Sequence, residues 1–244
     1  MQVLARRAGG MMRRAGAPLP GATGERQRLE GDELENFLAL GQREVGGLAA
    51  VIERHTGESI DGRVVLDYGC GPGRLTLPLA QRCEHVYGLE LMTEMFVAAR
   101  ANAEHVGVSN VEWRPSSDLA SLAGSYDAFV SMWVFQHIPS REGERILAQL
   151  VGGLRPGGVG VFNFAVRPTR ALAGFRHGPR GRPDWGYAYH LMHSSSFSRV
   201  GEILVDANIN EWYTRWAARR FGELMDEGQR MRHPLAMLVL RKPD

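Results

Sequence analysis

Asp67 stands at the end of a short apolar run, and glycines follow at alternate positions, Gly69, Gly71 and Gly73, just ahead of a helix-forming stretch. Glycine permits positive φ and lets a ligand come close to the backbone. The open N–H groups at a helix start hold an anionic or polar group. A second apolar run, Val86-Tyr87-Gly88-Leu89, ends at Glu90. That acid lies about 20 residues beyond the turn, where a carboxylate accepts hydrogen bonds from both hydroxyls of a ribose.

The order of these residues discriminates between ligands. A dinucleotide turn shows G-x-G-x-x-G, with glycine directly after the strand; here the order is Asp-x-Gly-x-Gly-x-Gly. A buried carboxylate beside a pyrophosphate meets like-charge repulsion, whereas a ligand carrying an ammonium and a sulfonium is attracted. S-adenosylmethionine fits that description and a nicotinamide dinucleotide does not. A glycine-rich turn alone is as often a tight loop, and a terminal Glu alone is usually just solvated. Their joint occurrence at two strand ends is what points to a cofactor.

Transfer of a group from an activated sulfonium needs alignment and desolvation more than it needs a named base. When the nucleophile is a hydroxyl, a proton acceptor helps. His137, in Trp133-Val134-Phe135-Gln136-His137-Ile138-Pro139, is the candidate base, because histidine titrates near neutral pH. The alternative is that it hydrogen-bonds the backbone ahead of Pro139. Further along, Arg167, Arg170, Arg176, Arg180 and Arg182 gather with His177, and no acid appears before Asp184. Either this is a lid whose Arg forks hold a carboxylate or phosphate on an acceptor, or it is a solvated loop. Trp185, Tyr187, Tyr189, His190 and His193 follow, as a wall over an acceptor pocket or as anchors of the loop on the sheet.

The elements that must position these residues alternate. Asp32 to about His55 reads as a helix, with Leu34, Phe37, Leu38, Val45, Leu48 and Ile52 on one face and Gly57 closing it. Strands are expected at Val64–Asp67, Val86–Glu90, Val111–Arg114, Tyr126–Trp133 and Val159–Val166. Helices are expected at Arg74–Arg82, Met92–His105 and Arg141–Leu154. A helix over Ser194–Ala207, with Ser caps available, and strands at Glu211–Trp216 and Leu235–Arg241 complete the chain. Such alternation implies right-handed crossovers in a mainly parallel sheet with helices on both faces. The expected fold is therefore a doubly wound α/β sheet of seven strands, with an N-terminal helix and an insertion after strand five. Residues 1–30 read as a disordered basic leader, with Met11 and Met12 as alternative starts. Residues 31–60 form a helical cap, 61–166 the cofactor-binding core, and 167–244 the acceptor-side insertion and last strands.

Composition narrows the function classes. Hydrophobic residues make up 44% of the 244 and charged residues 23%, the balance of a globular protein with a real core. No apolar run approaches the roughly 20 residues that span a bilayer. The net charge is +2, and without Arg6, Arg7, Arg13 and Arg14 of the leader the remainder is slightly acidic. That is no polycation built for nucleic acid. Apart from Lys242, all 29 basic residues are Arg, a bias that lowers the weight of any single one. Cys70 and Cys83 form no CxxC pair and no zinc spacing, so buried thiols in a reducing cytoplasm are expected, with no metal.

Over Val64 to Val166 the chain resembles the class I S-adenosylmethionine-dependent methyltransferases of small-molecule type, with a Rossmann-like fold. The matching pieces are DYGCGPGR, YGLELMTEMFVAARANA, SYDAFVSMWVFQHIP and LRPGGVGVFNF, with FLALGQREV ahead of them. The resemblance implies that Asp67, Gly69 and Gly71 contact the methionine part, Glu90 the ribose and Leu91 the adenine. It implies that the Ser117–Asp118 segment reaches the adenine amino group and that Trp133 lines the pocket. The family's usual acid before the fourth strand falls on Ser117 or Asp118, and both alignments stand. By analogy, the helix around Phe37 covers the cofactor. The expected activity is methyl transfer to O or N of a small-molecule or glycan-related acceptor, with an anionic acceptor suggested by the arginines. The alternatives are a nucleic-acid or protein methyltransferase and a non-catalytic adenosyl-ligand-binding protein. No Asn-Pro-Pro-Tyr-like motif or accessory RNA-binding module favours the first of these.

Overall fold

A long amphipathic helix is the first element of the computed structural model, which describes residues 31–166, 194–216 and 235–244. This helix, α1 (Gly31–Thr56), buries Leu34, Gly41, Val45, Leu48, Ala49 and Ile52. Asp32 and Glu33 in its first turn and Arg54 and His55 in its last complement the helix dipole. It stops where the Thr56 hydroxyl donates to the Ile52 carbonyl at 2.7 Å and Gly57 takes φ 74°, as the sequence suggests.

The core then alternates through β1 (Val64–Tyr68), α2 (Thr76–Ala80), β2 (His85–Glu90), α3 (Thr93–His105), β3 (Val111–Pro115), β4 (Tyr126–Ser131), α4 (Ser140–Gly153) and β5 (Leu154–Val166). It ends with β6 (Ser194–Ser195), α5 (Phe197–Asp206), β7 (Trp212–Trp216) and β8 (Leu235–Arg241). The sheet runs β3-β2-β1-β4-β5-β8-β7, with the short β6 paired to β5. Strands β1 to β5 are mutually parallel. By contrast, β8 is antiparallel to both β5 and β7. The doubly wound, mainly parallel sheet expected from the alternation is therefore the fold, with an antiparallel hairpin closing one side.

Alternate side chains of each strand feed two cores. Leu66, Phe129 and Phe162 pack with Leu150 of α4 and Leu204 of α5. Val65, Val130 and Val161 pack with Ile52 of α1 and Leu79 of α2. The chain proceeds outward from β1 to β3 and then crosses to β4 on the other side of β1. The carboxyl ends of β1 and β4 thus flank a topological switch point, where open α/β sheets bind ligands.

Several boundaries differ from expectation for local reasons. The helix expected over Arg74–Arg82 contracts to Thr76–Ala80, because residues 71–75 form turns. The Asn110 side-chain amide takes the carbonyls of Ala80, Cys83 and Glu84 at 2.9, 3.0 and 3.2 Å, ending that helix. Strand β5 begins five residues early, at Leu154, across a register shift between Tyr126 and Ala128 of β4. Ser194–Ser195 pairs with Ala165–Val166, so α5 starts only at Phe197, and its N-cap Ser196 makes no side-chain cap bond. A 3-10 turn over Ser116–Leu122 was not expected at all. Cys70 and Cys83 are buried and unpaired. No helix among the described residues is long and apolar enough to cross a membrane.

Candidate active site

Strand β1 delivers Asp67 to the switch point and the glycine turn begins two residues later. Gly69 has φ 79° and Gly71 φ 53°, the left-handed region that side chains with a Cβ disfavour. A Cβ on Gly69 would also overlap the Val134 methyls, so the turn and the segment after β4 interlock there. A Cβ on Gly71 would meet nothing within 4 Å, which places that residue at an open face. The turn is held from behind. Gly69 and Cys70 donate to the Leu89 carbonyl at 2.7 and 3.0 Å, and the buried Asn102 of α3 donates to the Pro72 carbonyl at 3.0 Å. The indole of Trp113 lies across Gly88, where a Cβ would come within 2.8 Å of the ring, and extends toward Gly73 at the root of the turn.

Asp67 is only 2% exposed and accepts a 2.6 Å hydrogen bond from the Thr76 hydroxyl. Burial pushes its carboxyl up to about 7; the Thr76 bond opposes the rise and the negative charge of Glu90 adds to it. Glu90 is a hub. One of its oxygens accepts from Gly71 N–H at 3.0 Å. The other accepts from Leu91 N–H at 2.7 Å and Met92 N–H at 3.1 Å. These three bonds orient the carboxylate and leave about one of its roughly four acceptor sites for a further donor. Leu91, next in the chain, is 50% exposed.

Asp118 sits in the 3-10 turn after β3, accepting from the Ser117 hydroxyl at 3.2 Å and lying 3.8 Å from the Arg114 guanidinium. The Tyr68 phenol anchors the start of that turn. Burial pushes it up to about 12, opposed by its hydrogen bond to Ser116.

Beyond β4 the backbone twists sharply: Trp133 has φ 66°. A bulky residue in this region costs of order 1–3 kcal/mol and persists only when its surroundings hold it. Asn163 of β5, itself 2% exposed, accepts the Trp133 N–H at 2.7 Å. Gln136 is buried, and its Oε1 finds no partner among the described residues. Its Nε2 lies 3.4 Å from Nε2 of His137. His137 is exposed and belongs to the 3-10 turn Phe135–His137.

Phe37, Asp67, Gly69, Cys70, Gly71, Pro72, Arg74, Leu75, Met132 and Trp133 line one open-mouthed cleft of about 180 Å³. The structure thus gathers four of the expected residues, Asp67, Gly69, Gly71 and Trp133, and bonds Glu90 to Gly71 beside them. His137, Leu91 and Asp118 stand outside this lining. Residues 167–193, with the arginine and aromatic candidates, lie outside the described residues, as does the leader. Sequence reasoning missed Thr76, Arg74, Met132 and Asn163. It gave the helix around Phe37 a covering role by analogy, but no contact for the rest of the FLALGQREV segment. Gly41 of that segment packs so closely that a Cβ would overlap the Arg74 carbonyl oxygen, and Glu44 forms an ion pair with the Arg74 guanidinium.

The donor set suits a cationic adenosyl ligand. Asp67 and Glu90 are the carboxylates at the turn, and the charge of Arg74, the cation in the lining, is already matched by Glu44. Among the described residues of the lining, a pyrophosphate would meet carboxylates and no spare cation. The described residues contain no cluster of His, Cys, Asp or Glu able to hold a metal ion.

A glycine turn, a strand-end Asp and a strand-end Glu at the switch point of such a sheet define a Rossmann-like protein that binds an adenosyl cofactor. Comparison with known proteins gives the family. The methyltransferase domain family matches residues 65–158. The ubiquinone biosynthesis O-methyltransferase of Acinetobacter baumannii (strain AYE) is 30% identical over 72% of this chain and 73% of its own length. The corresponding enzyme of Acinetobacter baylyi is 32% identical over 64% of this chain and 65% of that protein, so the match spans just under two thirds of that relative. A crystal structure of magnesium protoporphyrin IX methyltransferase from Synechocystis with bound S-adenosylmethionine shares the fold. Its TM-score is 0.59 at 22% identity, over 91% of this chain and 92% of that one. The chain belongs to the S-adenosylmethionine-dependent methyltransferases, and S-adenosylmethionine is the cofactor of that family.

Proposed function

We propose that this protein methylates an oxygen or nitrogen of a small-molecule acceptor. The observation that carries the reading is the cleft at the β1–β4 switch point, where a buried carboxylate and a glycine turn face open volume beneath Trp133. In this reading Asp67, Gly69 and Gly71 hold the amino-acid end of the cofactor and Glu90 takes the ribose hydroxyls. Leu91 and Asp118 serve the adenine, and Trp133 walls the cleft. The bound cofactor supplies an electrophilic methyl on a sulfonium; the protein's part is to align the acceptor behind it and exclude water. Relatives named as ubiquinone biosynthesis O-methyltransferases favour oxygen as the acceptor atom. An anionic acceptor is supported by the arginines between Arg167 and Arg182.

His137 would serve as general base, since its exposed ring lies in the 3-10 turn that follows β4 and histidine is the side chain that most often takes that role. The test is a screen of phenolic, carboxylic and amine acceptors with methyl-labelled cofactor. Transfer of label to a small molecule is expected, and label appearing only on protein or nucleic acid would refute the reading. With the acceptor in hand, His137→Ala should lower kcat by about 10²-fold or more, the usual contribution of a general base, while leaving the cofactor Kd near its wild-type value. An unchanged kcat across the pH range would remove the base role.

A further inference from the structure

We propose that Asn163 is a positioning residue for this cleft: it holds Trp133 in its left-handed backbone conformation and so sets the wall that the cofactor meets. The proposal rests on the reading of the β1–β4 cleft as the cofactor site.

Asn163 follows Phe162, which pairs with Ser131, the last residue of β4. It therefore stands where β4 has left the sheet and its own strand continues. Its side chain shares a face with Val159 and Val161, which pack in the apolar layer against α1 together with Met237 and Met132. A buried carboxamide among such neighbours is costly unless it is hydrogen-bonded. Its Oδ1 accepts the Trp133 N–H at 2.7 Å. The same twist at Trp133 has two effects that reach the cleft. Met132 and Trp133 both join its lining. Val134 is carried back onto Gly69, filling the space a side chain there would need. Asn163 is not among the residues that line the cleft; it acts through the Trp133 backbone.

The discriminating experiment uses the fact that glycine adopts positive φ freely. Affinity for S-adenosylhomocysteine is measured by calorimetry for wild type, Asn163→Leu, Trp133→Gly and the double variant. Amide hydrogen exchange at residue 133 is followed alongside. Asn163→Leu keeps side-chain volume but removes the acceptor. It should weaken binding about tenfold, the scale of a lost buried hydrogen bond, and speed exchange of the Trp133 amide. In the Trp133→Gly background the same change should cost less than about twofold, because the strain it relieves is already gone. Equal losses in both backgrounds would mean that Asn163 is only a packing residue, and would overturn the proposal. So would unchanged binding or unchanged amide exchange in Asn163→Leu. Should Asn163→Leu not fold, Asn163→Ala is read by the same two measurements. Failure of the wild type itself to bind S-adenosylhomocysteine would strike the cofactor reading, and amide exchange would still decide whether Asn163 holds Trp133.

Discussion

Asp67 concentrates the electrostatics of the site in one side chain. Its carboxyl is held near 7 chiefly by burial, above the ordinary value of about 3.9. For an acid raised in this way the folded state holds its proton longer than the unfolded chain does. Its contribution to stability is therefore greatest at low pH and declines as pH rises from about 4 to about 7. A cationic ligand group favours the ionised form, so ligand affinity moves the other way. Binding of S-adenosylhomocysteine, whose ammonium remains charged, should tighten between about pH 6 and pH 8 and then level off. Asp67→Asn should weaken binding and abolish that pH dependence, as calorimetry at several pH values would show. A persistent slope in Asp67→Asn would assign the titration elsewhere. Asp67 and Glu90 were legible in the sequence because each ends an apolar run, and a polar residue at that point stands out. Thr76 and Asn163 were not. Each matters through a partner that folding brings near, across 9 and 30 residues respectively, and nothing in a linear pattern pairs them.

Helix α1 illustrates what periodicity reveals and what it omits. Its span and buried face follow from helical spacing, and the structure agrees to within a residue or two. The contact that couples it to the site does not, because a glycine on an apolar face reads only as a weak helix position. In the fold Gly41 lets the helix approach the Arg74 carbonyl, Glu44 pairs with the Arg74 side chain, and Phe37 one turn earlier reaches the cleft. At the other end of the helix, His55 stacks on Tyr213 of β7 with ring centroids 3.5 Å apart. Gly41→Val should push α1 off the turn, lowering stability by about 1–3 kcal/mol as over-packing does. It should also weaken S-adenosylhomocysteine binding; chemical denaturation and calorimetry read the two effects separately. Strand β5 shows local chemistry surviving inside an element. Residues 155–158, Arg-Pro-Gly-Gly, carry turn chemistry and lie within a strand running from Leu154 to Val166, but the β4 ladder jumps from Leu154 to Val159 and Gly157 takes φ 69°, so they bulge from the sheet.

At the scale of the whole molecule, alternating strands and helices announced the parallel half of the sheet. The position of β8 could not be read in the same way. The last strand of the chain inserts between β5 and β7, and an apolar run such as Leu235–Leu240 is equally compatible with an edge or a centre. Its burial on both faces, with Ala236 through Leu240 all enclosed, follows from that central place. Ligand selectivity is also a property of the whole fold, since anything that binds only the native state stabilises it. S-adenosylhomocysteine at one hundred times its Kd should add about 2.7 kcal/mol, seen as a rise in Tm, while NAD at the same concentration should add nothing. Equal stabilisation by both would contradict the charge argument on which the cofactor assignment was built.

The indole of Trp113 packs against Gly88 and reaches Gly73 at the root of the glycine turn, and it is not among the residues that line the cleft. Occupancy of the cleft can therefore be sensed by a chromophore that no ligand needs to touch. Emission from this ring would respond to stiffening of the loop above it, which makes the protein's own fluorescence a titration signal for cofactor loading.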